Sequence, residues 1–124
     1  MRKILFLLTV VAALGLVAFA ADIPQDKQVL QFKTMMGTVT FNHAAHAKAA
    51  PNGCVDCHHK TRAGETPKPC SACHDKKKAD GKKLKLKDAV HKNCWDCHKK
   101  NLDAGKKGGP VKKDCKVCHV KKKK

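Results

Sequence analysis

Cys54-Val55-Asp56-Cys57-His58-His59 is the stretch on which the reading of this chain turns, because its first five residues set a pattern that recurs three more times. The other copies are Cys70-Ser71-Ala72-Cys73-His74, Cys94-Trp95-Asp96-Cys97-His98 and Cys115-Lys116-Val117-Cys118-His119, and together they use all 8 cysteines. Cys-x-x-Cys-His is the attachment signature of c-type haem. Two thiols bond to the porphyrin edge, and the adjoining imidazole (His58, His74, His98 or His119) ligates the iron from one side. Outside the motifs stand His43, His46, His59 and His91. One spare imidazole for each iron allows every iron a second axial histidine. The expected cofactors are therefore four covalently bound haems, each closed on both faces.

Two other chemistries use the same residue types. Paired Cys-x-x-Cys motifs build zinc ribbons, and eight cysteines in a small exported chain can form a disulfide framework. Neither accounts for a histidine directly after every second cysteine. Met35 and Met36 are also possible axial ligands, but the histidine supply is sufficient without them, and a turn or packing role is expected.

Backbone geometry restricts which spare imidazole serves which iron. His59 follows His58 at an alpha-carbon distance of about 3.8 Å, too close to reach the opposite face of the same iron, so it is expected on a different one. His91, three residues before Cys94, is poorly placed for the far side of that haem for the same reason. His43 and His46 lie one helical turn apart and point the same way, so they are expected to serve two irons. Ligands shared in this manner lace the haems together and imply close haem packing.

The chain opens with an export signal. Arg2 and Lys3 form a positive n-region, Ile4 to Val17 an apolar h-region, and Ala18-Phe19-Ala20 a cleavage site. The apolar run is short for a spanning helix. Residues 1–20 are expected to be removed, leaving one domain over 21–124 in the periplasm. That agrees with haem attachment, which takes place outside the cytoplasm. The remaining chain has Phe32, Phe41 and Trp95 as its only aromatic residues and no tyrosine, too few for an ordinary core. Small domains need staples. Here the haems are expected to act as the apolar surface on which side chains pack, with the apoprotein unfolded.

Along the mature chain, Val29-Leu-Gln-Phe32 and Thr38-Val-Thr-Phe41 are rich in branched and aromatic residues and predict a small hairpin, with Met36-Gly37 between the strands. Asn42 is a candidate N-cap for a short helix through Lys48, ended by Pro51 and Gly53. Each motif predicts about one helical turn. The motifs begin at 54, 70, 94 and 115, an uneven spacing that makes a repeat of sites rather than a solenoid. The fold class expected is small and mostly irregular or α-helical, with a short N-terminal β-hairpin and an organisation set by four covalent haems.

Phe41-Asn-His43-Ala-Ala-His46, then Cys54-x-x-Cys57-His58-His59, then three further motifs resemble cytochrome c3, the class III tetrahaem cytochromes of sulfate-reducing bacteria and their relatives. The resemblance runs over essentially the whole mature chain. It implies a compact domain around four bis-histidine haems in non-parallel orientations. Carried over in order, it pairs His43 with the Cys54/Cys57 haem, His59 with the Cys70/Cys73 haem, His46 with the Cys94/Cys97 haem and His91 with the Cys115/Cys118 haem. Its members carry electrons from periplasmic hydrogenase to membrane-bound redox complexes in sulfate respiration. Two features depart from many members: all four motif spacings here are short, and the stretch from His91 to Cys94 is brief, as in related three-haem cytochromes.

The formal net charge is +17. Loss of Arg2 and Lys3 leaves +15, and ionised propionates on four haems would lower that to about +7. Export argues against nucleic acid as the partner of so basic a chain. Acidic redox proteins such as periplasmic hydrogenase are expected instead, docked near Lys112, Lys113 and Lys116 around the last motif, with Lys121 to Lys124 either part of that patch or a solvated tail. A second lysine run, from Lys76 to Lys87, either forms another patch or keeps a loop soluble. Two imidazoles leave no vacant site for substrate, and without methionine ligation the potential should be low. The expectation is a monomeric electron carrier and no enzyme. The competing reading is a multihaem reductase of metal ions or small oxyanions.

Overall fold

Residues 23–62 and 64–121 are described in the computed structural model; the expected export signal lies outside them. After a single 3-10 turn at Gln25–Lys27, strands β1 (Val29–Thr34) and β2 (Gly37–Asn42) pair antiparallel, from Val29 opposite Asn42 to Thr34 opposite Gly37. The hairpin is the one expected, with its connection shifted by one residue: Met35 and Met36 form the loop, and Gly37 opens β2. The reason lies across the molecule. Thr38 N donates to Val120 O at 2.9 Å and Val120 N to Thr38 O at 3.0 Å, so the C-terminal segment bridges onto β2. A Cβ at Gly37 would stand 2.6 Å from Val120 O, and the backbone there has φ +131°. Only glycine tolerates both the conformation and the approach.

Helix α1 (His43–Ala49) starts where Asn42 predicts: the Asn42 Oδ1 accepts from Ala45 N at 2.9 Å, satisfying one of the free donors of the first turn. The first two motifs follow as 3-10 turns, Gly53–Asp56 and Cys70–Ala72. Helix α2 (Leu86–Asp103) then runs for 18 residues, and α3 (Cys115–Cys118) is one turn.

The length of α2 departs from the expected short helices. The stretch holds no proline or glycine, so nothing in it stops a helix once formed. Its half-buried stripe includes His91, Cys94, Trp95, His98 and Asn101, separated by the three- and four-residue steps of one helix face. Histidine and cysteine hide that stripe from a reading that seeks aliphatic residues. On the outer face, Lys92–Asp96 at 2.6 Å and Lys99–Asp103 at 2.5 Å are i,i+4 ion pairs. Both are exposed, so each contributes only a few tenths of a kcal/mol, roughly 0.3–0.5.

Among the described residues no side chain is fully buried. Phe32 is 49% exposed, Val29 54% and Val120 61%. Elements meet through the two-stranded ribbon, the turns and a set of histidine contacts.

Candidate functional site

Each motif folds into one turn closed by its own histidine. His58 N donates to Cys54 O at 2.8 Å, His74 N to Cys70 O at 2.9 Å and His119 N to Cys115 O at 2.9 Å; the Cys94–His98 copy is wound into α2. Two cysteines three apart and a histidine four past the first therefore share one turn.

The fold brings the eight histidines together in twos. His43 stands with His58 at a ring-centre separation of 6.1 Å, His59 with His74 at 6.1 Å, His46 with His98 at 6.2 Å and His91 with His119 at 6.0 Å. A first-row metal bonds an imidazole nitrogen at about 2 Å, so two imidazoles on opposite sides of one metal place their ring centres roughly 6 Å apart. The four separations agree with that span and with one another to 0.2 Å. Every pair joins one motif histidine to one histidine outside the motifs. In each of them two cysteines lie on the same turn as the motif histidine, and this donor set fits c-type haem. Among the described residues, no three His, Cys, Asp or Glu side chains gather as a small-metal cluster would require.

In seven of these eight imidazoles Nδ1 is engaged as well. His58 Nδ1 meets Lys68 O at 2.9 Å, His74 Nδ1 meets Leu84 O at 2.8 Å, and His98 Nδ1 meets Pro110 O at 2.7 Å. The acceptors lie ten, ten and twelve residues downstream, so each loop folds back over its motif histidine. His43 Nδ1 meets Lys27 O at 3.0 Å, and on the two helices His46 Nδ1 meets Asn42 O at 2.7 Å and His91 Nδ1 meets Lys87 O at 2.9 Å. His119 Nδ1 instead meets the Thr34 hydroxyl at 3.0 Å. A carbonyl can only accept, so Nδ1 carries the proton and Nε2 keeps its lone pair. That is the tautomer a metal ligand needs.

Two aromatic side chains and one glycine pack on these rings, and other residues fix the turns and loops beside them. Phe41 packs on both α1 histidines, 4.3 Å from the His46 ring centre and 5.9 Å from that of His43. Trp95 stacks on His91 at 4.6 Å with 27° between the planes. Asn52 binds Asp56 through its backbone N at 2.9 Å and its side-chain amide at 2.8 Å, steadying the first motif turn and holding the Asp56 carboxyl below its usual range. Asp75, whose carboxylate accepts from Lys78 N and Lys77 N, is lowered likewise. At Gly109 a Cβ would stand 2.5–2.8 Å from three atoms of the His98 ring, and at Gly108 it would meet Leu102 Cγ at 2.6 Å. These roles were not legible as motifs. A carbonyl acceptor carries no residue signature, and Gly108-Gly109-Pro110 reads as an ordinary loop.

Among the thiols, Cys94 is the most desolvated. Burial, followed by repulsion from Cys57, Cys118, Cys70 and Cys97, pushes its pKa up to about 11. Burial also raises that of Cys118, with Asp114 and Cys115 adding to the effect. Protonated thiols of this kind are poor nucleophiles toward stray oxidants.

Thiol pairs on single turns beside paired imidazoles define a covalent-haem protein. The chain belongs to the Class III cytochrome C family, whose model matches residues 17–119. It is accordingly a multihaem electron-transfer carrier with covalently bound c-type haem. No curated protein matches the chain. No helix among the described residues is long and apolar enough to cross a membrane.

Proposed function

We propose that this chain is a periplasmic, low-potential electron carrier with four c-type haems, each held by two thioethers and two imidazoles. The observation that carries the reading is the set of four His–His pairs at 6.0–6.2 Å. Cys54 and Cys57, Cys70 and Cys73, Cys94 and Cys97, and Cys115 and Cys118 would hold the porphyrin edges. His58/His43, His74/His59, His98/His46 and His119/His91 would be the axial ligands in the same order.

When bound, haem supplies a one-electron iron couple. The protein's own part would be to present Nε2 lone pairs, to fix seven of the eight rings through Nδ1 and to offer two histidines to each haem. Paired neutral imidazoles favour a low potential over one raised by methionine. His43 and His46 sit on one turn of α1 but face different partners, so α1 and Phe41 tie the first site to the third. His58 and His59 tie the first to the second in the same manner. Trp95, inside the third motif, touches His91 of the fourth.

Residues 1–20 would direct export and be cleaved, leaving 21–124 as the working domain. Acidic redox proteins such as a periplasmic hydrogenase, together with membrane-bound redox complexes, are the partners this reading supports. The exposed lysines Lys112, Lys113, Lys116 and Lys121 stand beside the last motif, where they would steer such a partner. The working unit is a monomer, and electron transfer rather than turnover of a substrate is its task. The test is an optical and EPR redox titration of the purified holoprotein, with carbon monoxide added after reduction. Four low-spin haems of low potential and no carbon monoxide complex are expected. A high-spin signal or a carbon monoxide adduct at any haem overturns bis-histidine ligation there and favours the reductase reading.

A further inference from the structure

We infer that Thr34, at the end of the β-hairpin, is a positioning residue for the last iron site. Its hydroxyl accepts the Nδ1–H of His119 and so governs how strongly that imidazole donates to the metal. This rests on the proposed bis-histidine ligation and goes beyond it. The chemistry of the hydroxyl decides the direction of the bond. Thr34 Oγ1 has one proton, and that proton goes to Gly37 O at 2.7 Å, since a carbonyl can only accept. The two lone pairs then face Met36 N at 3.2 Å and His119 Nδ1 at 3.0 Å. All three capacities of the oxygen are used. The His119 ring must therefore carry its proton on Nδ1, leaving Nε2 unprotonated for the metal.

Six other imidazoles direct Nδ1 to backbone carbonyls. No side-chain substitution deletes a carbonyl, so these partners are built into the fold. His119 is different: its acceptor is a side chain 85 residues upstream. The two segments are also clamped together. Val120, the next residue after His119, bridges to Thr38 and lies against Gly37 at a distance only glycine allows. The hydroxyl is thus held in place by the hairpin end and does not depend on a free rotamer. Among the seven imidazoles whose Nδ1 partner the described residues show, His119 is the one tuned by a single replaceable side chain. An acceptor on Nδ1–H strengthens electron donation by the imidazole, which stabilises the oxidised metal and lowers the potential.

The experiment compares holoprotein Thr34→Val and Thr34→Ser with the unmodified chain by EPR and by potentiometric titration of the separate couples. Valine keeps the branched shape and removes the acceptor, whereas serine retains the hydroxyl. In T34V one couple is expected to rise in potential, its reduction equilibrium constant growing roughly three- to tenfold. Tenfold corresponds to about 59 mV for one electron. All haems should remain low-spin, and T34S should stay at the original value. Unmoved couples in a low-spin T34V overturn the role of Thr34 while leaving the ligation intact, as does a T34S shift as large as that of T34V. A high-spin iron at the last motif of the unmodified protein overturns the ligation itself, and the inference with it. If T34V does not fold, NMR of the unmodified holoprotein decides: a slowly exchanging His119 Nδ1 proton supports the bond, and a rapidly exchanging one overturns it.

Discussion

On the proposed four-haem ligation, replacing Gly109 by alanine should disturb one iron site and spare the other three. The new methyl group would sit 2.5 Å from His98 Cε1, 2.6 Å from Nε2 and 2.8 Å from Nδ1. Ordinary van der Waals contact begins at 3.4 Å, so the closest pair falls 0.9 Å short. Two responses are open. The ring can move by about that amount, against a metal–ligand tolerance of about 0.2 Å, and the ligand is then lost or stretched. Otherwise the loop can move, taking Pro110 O away from His98 Nδ1, whose bond is 2.7 Å, at an overpacking cost of about 1–3 kcal/mol. Either response falls on the site of Cys94, Cys97, His46 and His98. EPR of oxidised G109A should show a high-spin or altered low-spin signal for about one haem in four, and carbon monoxide should bind the reduced form if the ligand is lost. Gly108→Ala is the comparison, because its methyl would press on Leu102 and the His98 carbonyl and not on the ring. G108A should lose stability with its spectra unchanged. A G109A protein with the parent spectra, no carbon monoxide complex and unchanged denaturation would refute the idea that Gly109 holds the ligand in place.

Asn42→Ala removes the Oδ1 that accepts from Ala45 N but keeps the backbone carbonyl that engages His46. It should cost about 1 kcal/mol, read as a lower midpoint in guanidinium denaturation of the holoprotein, with haem spectra unaltered; an unshifted midpoint would show that the cap contributes nothing. Charge reversal at the exposed Lys113 and Lys116 should slow hydrogenase-coupled reduction at low ionic strength, and the difference from the parent should shrink as salt screens the surface. Equal rates at low salt would remove this patch from the docking surface.

Some of this protein follows from residue order alone. Two thiols and an imidazole within five residues share one turn wherever they occur, so the four attachment motifs are local facts that no packing can rearrange. Asn42 before His43 marks a helix start for a similar reason: the capping oxygen and the free N–H lie three residues apart. The branched residues of 29–32 and 38–41 announce a hairpin. Even the rule that adjacent His58 and His59 face different partners is a matter of backbone reach.

Long-range approach decided the remainder. Which spare histidine meets which motif histidine depends on α1, α2 and the loops being brought to one another. The separation of 6.0 Å between His91 and His119 joins parts of the chain that no local pattern connects. The length of α2 escaped a reading by aliphatic periodicity, because its inner stripe is built of His, Cys and Trp side chains suited to a cofactor. The Nδ1 acceptors were equally hidden, since a main-chain carbonyl has no residue identity. Thr34 and Gly109 gained their roles only because Val120 and His98 pack against their segments. A sequence can specify ligands, since ligation is side-chain chemistry. The orientation and electron donation of those ligands are set by neighbours that the tertiary fold supplies.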